Sequence, residues 1–261
     1  MVMIKEELLQ LLQYKDLLIN LVFRDLTVRY KRSVIGFCWT MVNPLINTIV
    51  FTIVFSTIFR FDIKDFIIYF LSAYQLWILF SQSTLLSSRC ILVNGPLLKK
   101  VYLPKTIFVI SIMLSELVNF SFAMLPLLAL VAIIGKGLSL ALLFLPIPLL
   151  IMIIFTLGVS FILASLTVFF HDIIDIYQLL LMPWMYLTPI FYPLTIVPEK
   201  YVFILKLNPM YYIIDCFRAP LYLGQLPDPL NVVWAGLSAL VVFIAGIVLF
   251  TRLSDDFIYY I

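Results

Sequence analysis

Residues 24–44 read RDLTVRYKRSVIGFCWTMVNP, and the fold turns on the break in the middle of them. Four basic residues, Arg24, Arg29, Lys31 and Arg32, crowd into the first nine positions, after which no charge occurs until Arg60. The charge-free run from Ser33 to Phe59 is long enough to cross a bilayer, since about 20 apolar residues at ~1.5 Å rise span the hydrocarbon core. It begins too far along, is too long and lacks the small-x-small site of a secretory leader, so it is expected to remain as a span.

The composition of the 261 residues agrees: 64% hydrophobic, 12% charged and a mean hydropathy of +1.14 lie outside the range of a soluble domain. A net charge of +3, carried beside apolar runs, does not suggest nucleic acid as a partner. Cys38, Cys90 and Cys216 lack metal-ligand spacing and His171 has no second imidazole, so neither a disulfide framework nor a metal site is expected.

Five further runs qualify as spans: Phe66 to Ser88, Thr106 to Ile134 (interrupted by Glu116), Gly137 to Phe170, Ile176 to Val197 and Pro229 to Thr251. The expected fold is therefore an all-α polytopic membrane protein with six transmembrane helices and both termini on one side. Eleven of the seventeen basic residues fall on that side, which the positive-inside rule makes the cytoplasm. The expected organisation is an interface helix and basic turn over 1–32, a transmembrane domain over 33–253 and a short cytoplasmic tail over 254–261.

In the first thirty residues Ile4, Leu8, Leu11, Leu12, Leu18, Ile19, Val22 and Leu26 recur at helical spacing, which predicts an amphipathic helix along the inner leaflet. Taken alone, RDLTVRYKR reads as a topology anchor attracted to anionic membrane lipids. Between the second and third spans NGPLLKKVYLPK (Asn94 to Lys105) offers a Gly-Pro turn, one or two helical turns and a closing Pro104. Such a short rod suits a socket on another protein.

The string from Arg24 to Pro44, with Gly36, Trp39 and Asn43-Pro44, resembles the opening signature of type-2 ABC exporter permeases, in particular those of O-antigen, capsule or teichoic-acid polysaccharides. Asn208 to Arg218, NPMYYIIDCFR, resembles that family's second signature; Ile35, where many relatives carry leucine, is a mild departure. The resemblance implies a homodimeric permease that binds two copies of a separate ATPase subunit and moves a lipid-linked polysaccharide outward across a bacterial inner membrane. No G-x-x-x-x-G-K-[ST] phosphate loop occurs, and the one Gly-Lys pair, Gly135-Lys136, is followed by Gly137, so this chain is expected to bind no cofactor itself and to leave ATP and Mg to the partner.

On that reading Arg24, Arg29, Tyr30, Lys31 and Arg32 frame the ATPase-docking cleft, and Gly95, Pro96, Leu97, Leu98, Lys99 and Lys100 form the coupling helix. Polar stripes predict the channel lining: Trp39, Asn43, Asn47, Thr48 and Thr52 in the first span, Gln75 and Gln82 in the second, Ser115 and Asn119 in the third. Rings such as Trp39, Tyr74, Trp77, Trp184 and Tyr186 could stack on sugar faces, and helix packing is the alternative use for the small polar residues.

Glu116 is the one carboxylate in an apolar run, with no basic partner in the spans, and must face a partner or a cavity. A proton relay built on it would make the chain a secondary transporter. The proline-rich stretch 190–228 is expected to form re-entrant helices and, by resemblance, an outer gate containing Tyr192, Pro209, Tyr211, Tyr212, Asp215 and Arg218, with the last two able to pair at i, i+3. Asp172, after His171, is expected to cap the fifth span. A small-molecule exporter of the same superfamily and a polytopic membrane enzyme are the other readings; the latter lacks converging catalytic groups.

Overall fold

A computed structural model describes residues 13–31, 33, 35–58, 63–134 and 139–261, and every regular element among them is helical. Residues 1–12 of the expected interface helix, Arg32 and the Gly135-Lys136-Gly137 stretch lie outside the described residues. α1 (Lys15–Tyr30) is followed by α2 (Cys38–Thr52), which runs on as a π-helical segment, Ile53–Ile58. Then come α3 (Phe66–Val93), the single-turn α4 (Gly95–Leu98) and α5 (Thr106–Ile133). α6 (Pro146–Phe169), α7 (Ile173–Tyr186), α8 (Glu199–Leu207), α9 (Pro209–Arg218) and α10 (Pro229–Leu253) lead to a 3₁₀ turn, Ser254–Asp256, and α11 (Phe257–Tyr260).

Among the described residues five helices are long and apolar enough to cross a membrane: Cys38–Phe55, Phe66–Val93, Thr106–Ile133, Leu140–Phe169 and Pro229–Tyr260. The run expected to span over Ile176 to Val197 is not among these five, because its regular helix is short. Its helix, α7, has 14 residues, about 21 Å at 1.5 Å per residue. Pro183 sits within it, and Pro189 and Pro193 follow, each lacking the N–H that would extend the ladder. Asp172 stands at the N-cap of α7, but its side chain makes no cap hydrogen bond, which corrects the second expectation for this region.

Contacts define the two ends of the bundle. At one end Arg24 Nη1 donates to Asn94 Oδ1 at 3.2 Å, Lys105 Nζ donates to the Ser254 carbonyl, and Phe169 meets Phe257. α1, the 94–105 loop and the tail therefore share this end. At the other, the Tyr222 hydroxyl donates to the Lys64 carbonyl at 2.8 Å and Asn231 Nδ2 donates to Asp215 Oδ2 at 2.8 Å.

α3 is the central helix, with 61% of its apolar window buried against 11% for the α2 window at the edge. One apolar core gathers Phe70, Phe80, Phe155, Phe191 and Phe217 towards the second end; another joins Leu21 of α1 to Leu98, Ile107, Phe161, Phe250 and Phe257 at the first. α6 and α10 approach backbone to backbone: a Cβ added at Gly158 would lie 2.6 Å from the Phe243 nitrogen, and one at Gly246 would strike the Gly158 carbonyl. Small residues permit this where lipid offers no hydrophobic drive between helices. Gly36, in the turn that feeds α2, has φ 56°, the left-handed region that glycine enters without a Cβ penalty.

Candidate functional site

A cavity of about 440 Å³ opens between the end of α1, α2, α3 and α5. Trp39 and Asn43, one turn apart on α2, face Tyr74, Gln75 and Gln82 of α3 and Asn119 of α5. Asn47, a further turn along, donates to Asn43 Oδ1 at 3.0 Å and to the Tyr74 hydroxyl at 3.3 Å, fixing the amides at the rim. Five expected channel residues, Trp39, Asn43, Gln75, Gln82 and Asn119, thus converge on one space. Gln75 also ties two helices, donating to the Ala123 carbonyl at 3.0 Å.

Of the other four, Asn47 binds two lining side chains without lining the cavity itself, and three lie elsewhere. Thr48 is buried and bonds back to the Pro44 carbonyl at 2.7 Å, Thr52 is absent from the lining, and Ser115 bonds to the Ser111 carbonyl on the wall of a second cavity. A broad polar face on a helix divides between neighbours when two other helices pack on it.

An ion pair borders the first cavity. The Arg29 guanidinium meets Glu116 Oε1, Asn119 Nδ2 donates to Glu116 Oε2 at 3.3 Å, and the Tyr30 hydroxyl donates to Asn119 Oδ1 at 2.9 Å. Glu116, 3% exposed, lies about 15 Å along α5 from its start. Expected to face a partner or a cavity, Glu116 meets both; the partner, Arg29, comes from α1 and not from a span. Burial opposes the Arg29 charge, yet the Glu116 carboxylate more than offsets this and holds the guanidinium pKa above its ordinary value; burial likewise raises the Tyr30 phenol.

Arg29 and Tyr30 therefore turn inward onto α5. Arg24 is engaged by Asp25 at 2.9 Å and by Asn94. Of the expected docking residues, Lys31, Pro96, Lys99 and Lys100 are exposed, Leu97 is half-buried, and Gly95 and Leu98 are buried. A second cavity, about 500 Å³, lies between Arg24, Arg29, Arg89, Asn94, Ser115 and Glu116, so the ion pair borders both spaces.

The expected gate residues also gather. Arg218 is buried, its guanidinium carbon 3.7 Å from the Tyr69 ring centroid, and Nη2 donates to the Pro189 carbonyl at 2.9 Å. Tyr69 in turn donates to the Tyr192 carbonyl at 2.9 Å, and Tyr211 and Tyr212 meet edge to face at 4.9 Å. The expected Asp215–Arg218 pair is corrected, for Asp215 accepts from Asn231 while Arg218 donates to the Pro189 carbonyl, left free where the α7 helix ends.

Pro209 occupies the first turn of α9, where its missing N–H costs nothing, and Asn208 caps it. Asn208 Oδ1 accepts from the Met210 amide and from Trp184 Nε1, both at 3.1 Å, and Nδ2 donates to Thr188 Oγ1 at 2.9 Å. The sequence pointed to Asn208 as the start of a motif but not to this junction between α7 and α9. Asn208→Ala is expected to destabilise the chain by about 2–3 kcal/mol, from a lost cap and an unpaired indole N–H, read as a lowered melting temperature in detergent.

The profile of the ABC-2 type transporter family matches residues 16–222. The chain belongs to that family of multi-pass membrane proteins. It is 32% identical over 221 residues to the O-antigen export system permease protein RfbA of Myxococcus xanthus, covering 84% of this chain and 85% of that one. It is 28% identical over 244 residues to the RfbA permease protein of Klebsiella pneumoniae, covering 93% of both.

Proposed function

We propose that the chain is the membrane permease of an ABC exporter that moves O-antigen, as a lipid-linked polysaccharide, outward across a bacterial inner membrane. Two copies work with two copies of a separate ATPase subunit, which binds ATP and Mg and supplies hydrolysis. α1, the 94–105 loop and the tail face the cytoplasm; α8 and α9 face outward.

The observation that carries this reading is the cavity walled by Trp39, Tyr74, Asn43, Gln82 and Asn119. Amides donate to and accept from sugar hydroxyls, and ring faces cover the apolar C–H faces of the sugar. Most of the wall is neutral, with the Arg29–Glu116 pair at one side, and neutral groups suit a moving polymer because each contact is weak and replaceable. The names of the two relatives support O-antigen as the cargo. The Tyr69–Arg218–Tyr192 assembly closes the outer end until the polymer arrives.

The test is restoration of surface O-antigen in cells that lack their own copy of this permease. The chain is expected to restore it, and replacing both Asn43 and Gln82 by leucine is expected to cut it by about tenfold, two lost hydrogen bonds at ~0.5–1.5 kcal/mol each, at unchanged membrane level. Undiminished surface glycan in that variant would remove the cavity from the path.

A further inference from the structure

We propose that the segment Ser254–Ile261 braces the coupling helix, so that force from the ATPase reaches the spans instead of bending the loop. The proposal rests on the exporter reading above. α4 is one turn long, and an isolated turn has no stability of its own. Its exposed side chains, Lys99 and Lys100 just beyond it with Tyr102, are what a partner can touch. A push on them does work on the membrane domain only if both ends of the loop are backed.

The tail backs both. At the near end Gly95 is buried against Ile261: a Cβ at position 95 would collide with Ile261 Cγ2, so the isoleucine occupies the space a side chain would need. At the far end Lys105 Nζ donates to the Ser254 carbonyl and stands 5.6 Å from the centre of the Phe257 ring. Phe257 is wholly buried, with Phe250 at 5.4 Å and Phe169 at 6.0 Å, and Tyr260 meets Phe169 at 4.8 Å.

The tail thus ties the loop to the last residues of α6 and α10. Those two helices are the ones locked backbone to backbone at Gly158 and Gly246. Displacement of the loop would move that pair as one body. Phe257 and Ile261 are positioning residues: they touch neither ATP nor cargo, and act through α4.

The test uses the full permease and its ATPase, co-expressed, with three readouts: complex recovered, ATP hydrolysis, and surface O-antigen. Gly95→Ala is expected to push the Ile261 side chain aside and lower glycan exported per ATP hydrolysed by about twofold to fivefold, the low end of contact coupling energies, while hydrolysis continues. Ile261→Ala alone loosens the brace and gives a smaller loss. Gly95→Ala with Ile261→Ala is expected to export better than either single variant, because the new methyl fills the space the shortened side chain leaves.

Phe257→Leu should keep coupling, where Phe257→Ala loses it. Should Gly95→Ala export at the wild-type ratio, or the double variant be no better than the singles, the brace is overturned. Failure of the unaltered chain to form a complex with the ATPase would overturn the exporter reading instead. A stable complex with indifferent variants overturns the brace alone.

Discussion

Arg29→Ala is expected to destabilise the protein by about 1–3 kcal/mol, below the cost of breaking a fully buried pair, because the Arg29 side chain is 36% exposed while Glu116 is buried. Glu116 is 3% exposed, and its other oxygen holds only an amide donor, Asn119, at 3.3 Å. Arg24 and Arg89 share the second cavity with Glu116, but neither is in contact with it. Arg29→Leu together with Glu116→Leu should recover most of the loss, since two apolar residues in place of a buried pair are often neutral.

Thermal melting of the three proteins in one detergent reads the result directly. Near-equal melting temperatures for Arg29→Ala and wild type would mean that solvent in the adjoining cavities carries the Glu116 charge. The same pair joins α1, ahead of the first span, to α5. Loss of Arg29 should therefore loosen α1 from the bundle, measurable as faster proteolysis between the helix and α2.

Gly158→Leu is expected to be the most damaging single change in the apolar bundle. The position has no room even for a methyl group, because Phe243 backbone atoms stand 2.6 and 2.7 Å from where Cβ would be. Backbone cannot rotate aside as a side chain can, so α6 and α10 must separate and lose packing along their length. Overpacking a core costs about 1–3 kcal/mol, occasionally more; this variant should reach or exceed the top of that range.

Gly246→Ala should show the same defect in milder form, while Gly236→Ala, with nothing within 4 Å, should not destabilise at all and gains helix propensity of up to about 1 kcal/mol. Recovery of monodisperse protein from the membrane, compared across the three glycines, separates a packing defect from a general dislike of substitution. Equal recovery of Gly158→Leu and Gly236→Ala would contradict the close crossing.

The parts legible in the sequence were those written in local pattern. Charge-free runs overlap α2, α3, α5, α6 and α10, matching α5 and α10 within two residues but starting nine residues before α6. Asn208-Pro209 and Asp228-Pro229 each spell a cap followed by a proline at the first helical position, and each side chain accepts from the amide two residues on. Gly36 stood out only as part of the family signature, and its positive φ is seen in the fold.

What was not legible depends on partners far apart in the chain. Spacing cannot connect Arg29 to Glu116, or Gly95 to Ile261, because the contact exists only after separate helices pack. Asp215 and Arg218 were legible as neighbours on one helix turn, yet each finds a better partner outside it. The apolar run over Ile176 to Val197 hid the early end of α7, since hydropathy counts Pro183 and Pro189 without weighing the donors they lack. Thr48 and Ser115 show the same limit at the site: polarity identified them, but only packing decides which space they face.

On the proposed function, this permease moves a glycan only when an ATPase drives it. The most direct measurement is made in sealed vesicles containing the purified chain with its ATPase, loaded with lipid-linked O-antigen on the ATPase side and probed with a lectin on the far side. ATP should expose glycan to the lectin, and vesicles lacking either subunit, or holding an ATPase unable to hydrolyse, should expose none. Glycan crossing at the same rate without the ATPase, or no crossing by an intact complex that hydrolyses ATP, would rule out an ATP-driven exporter.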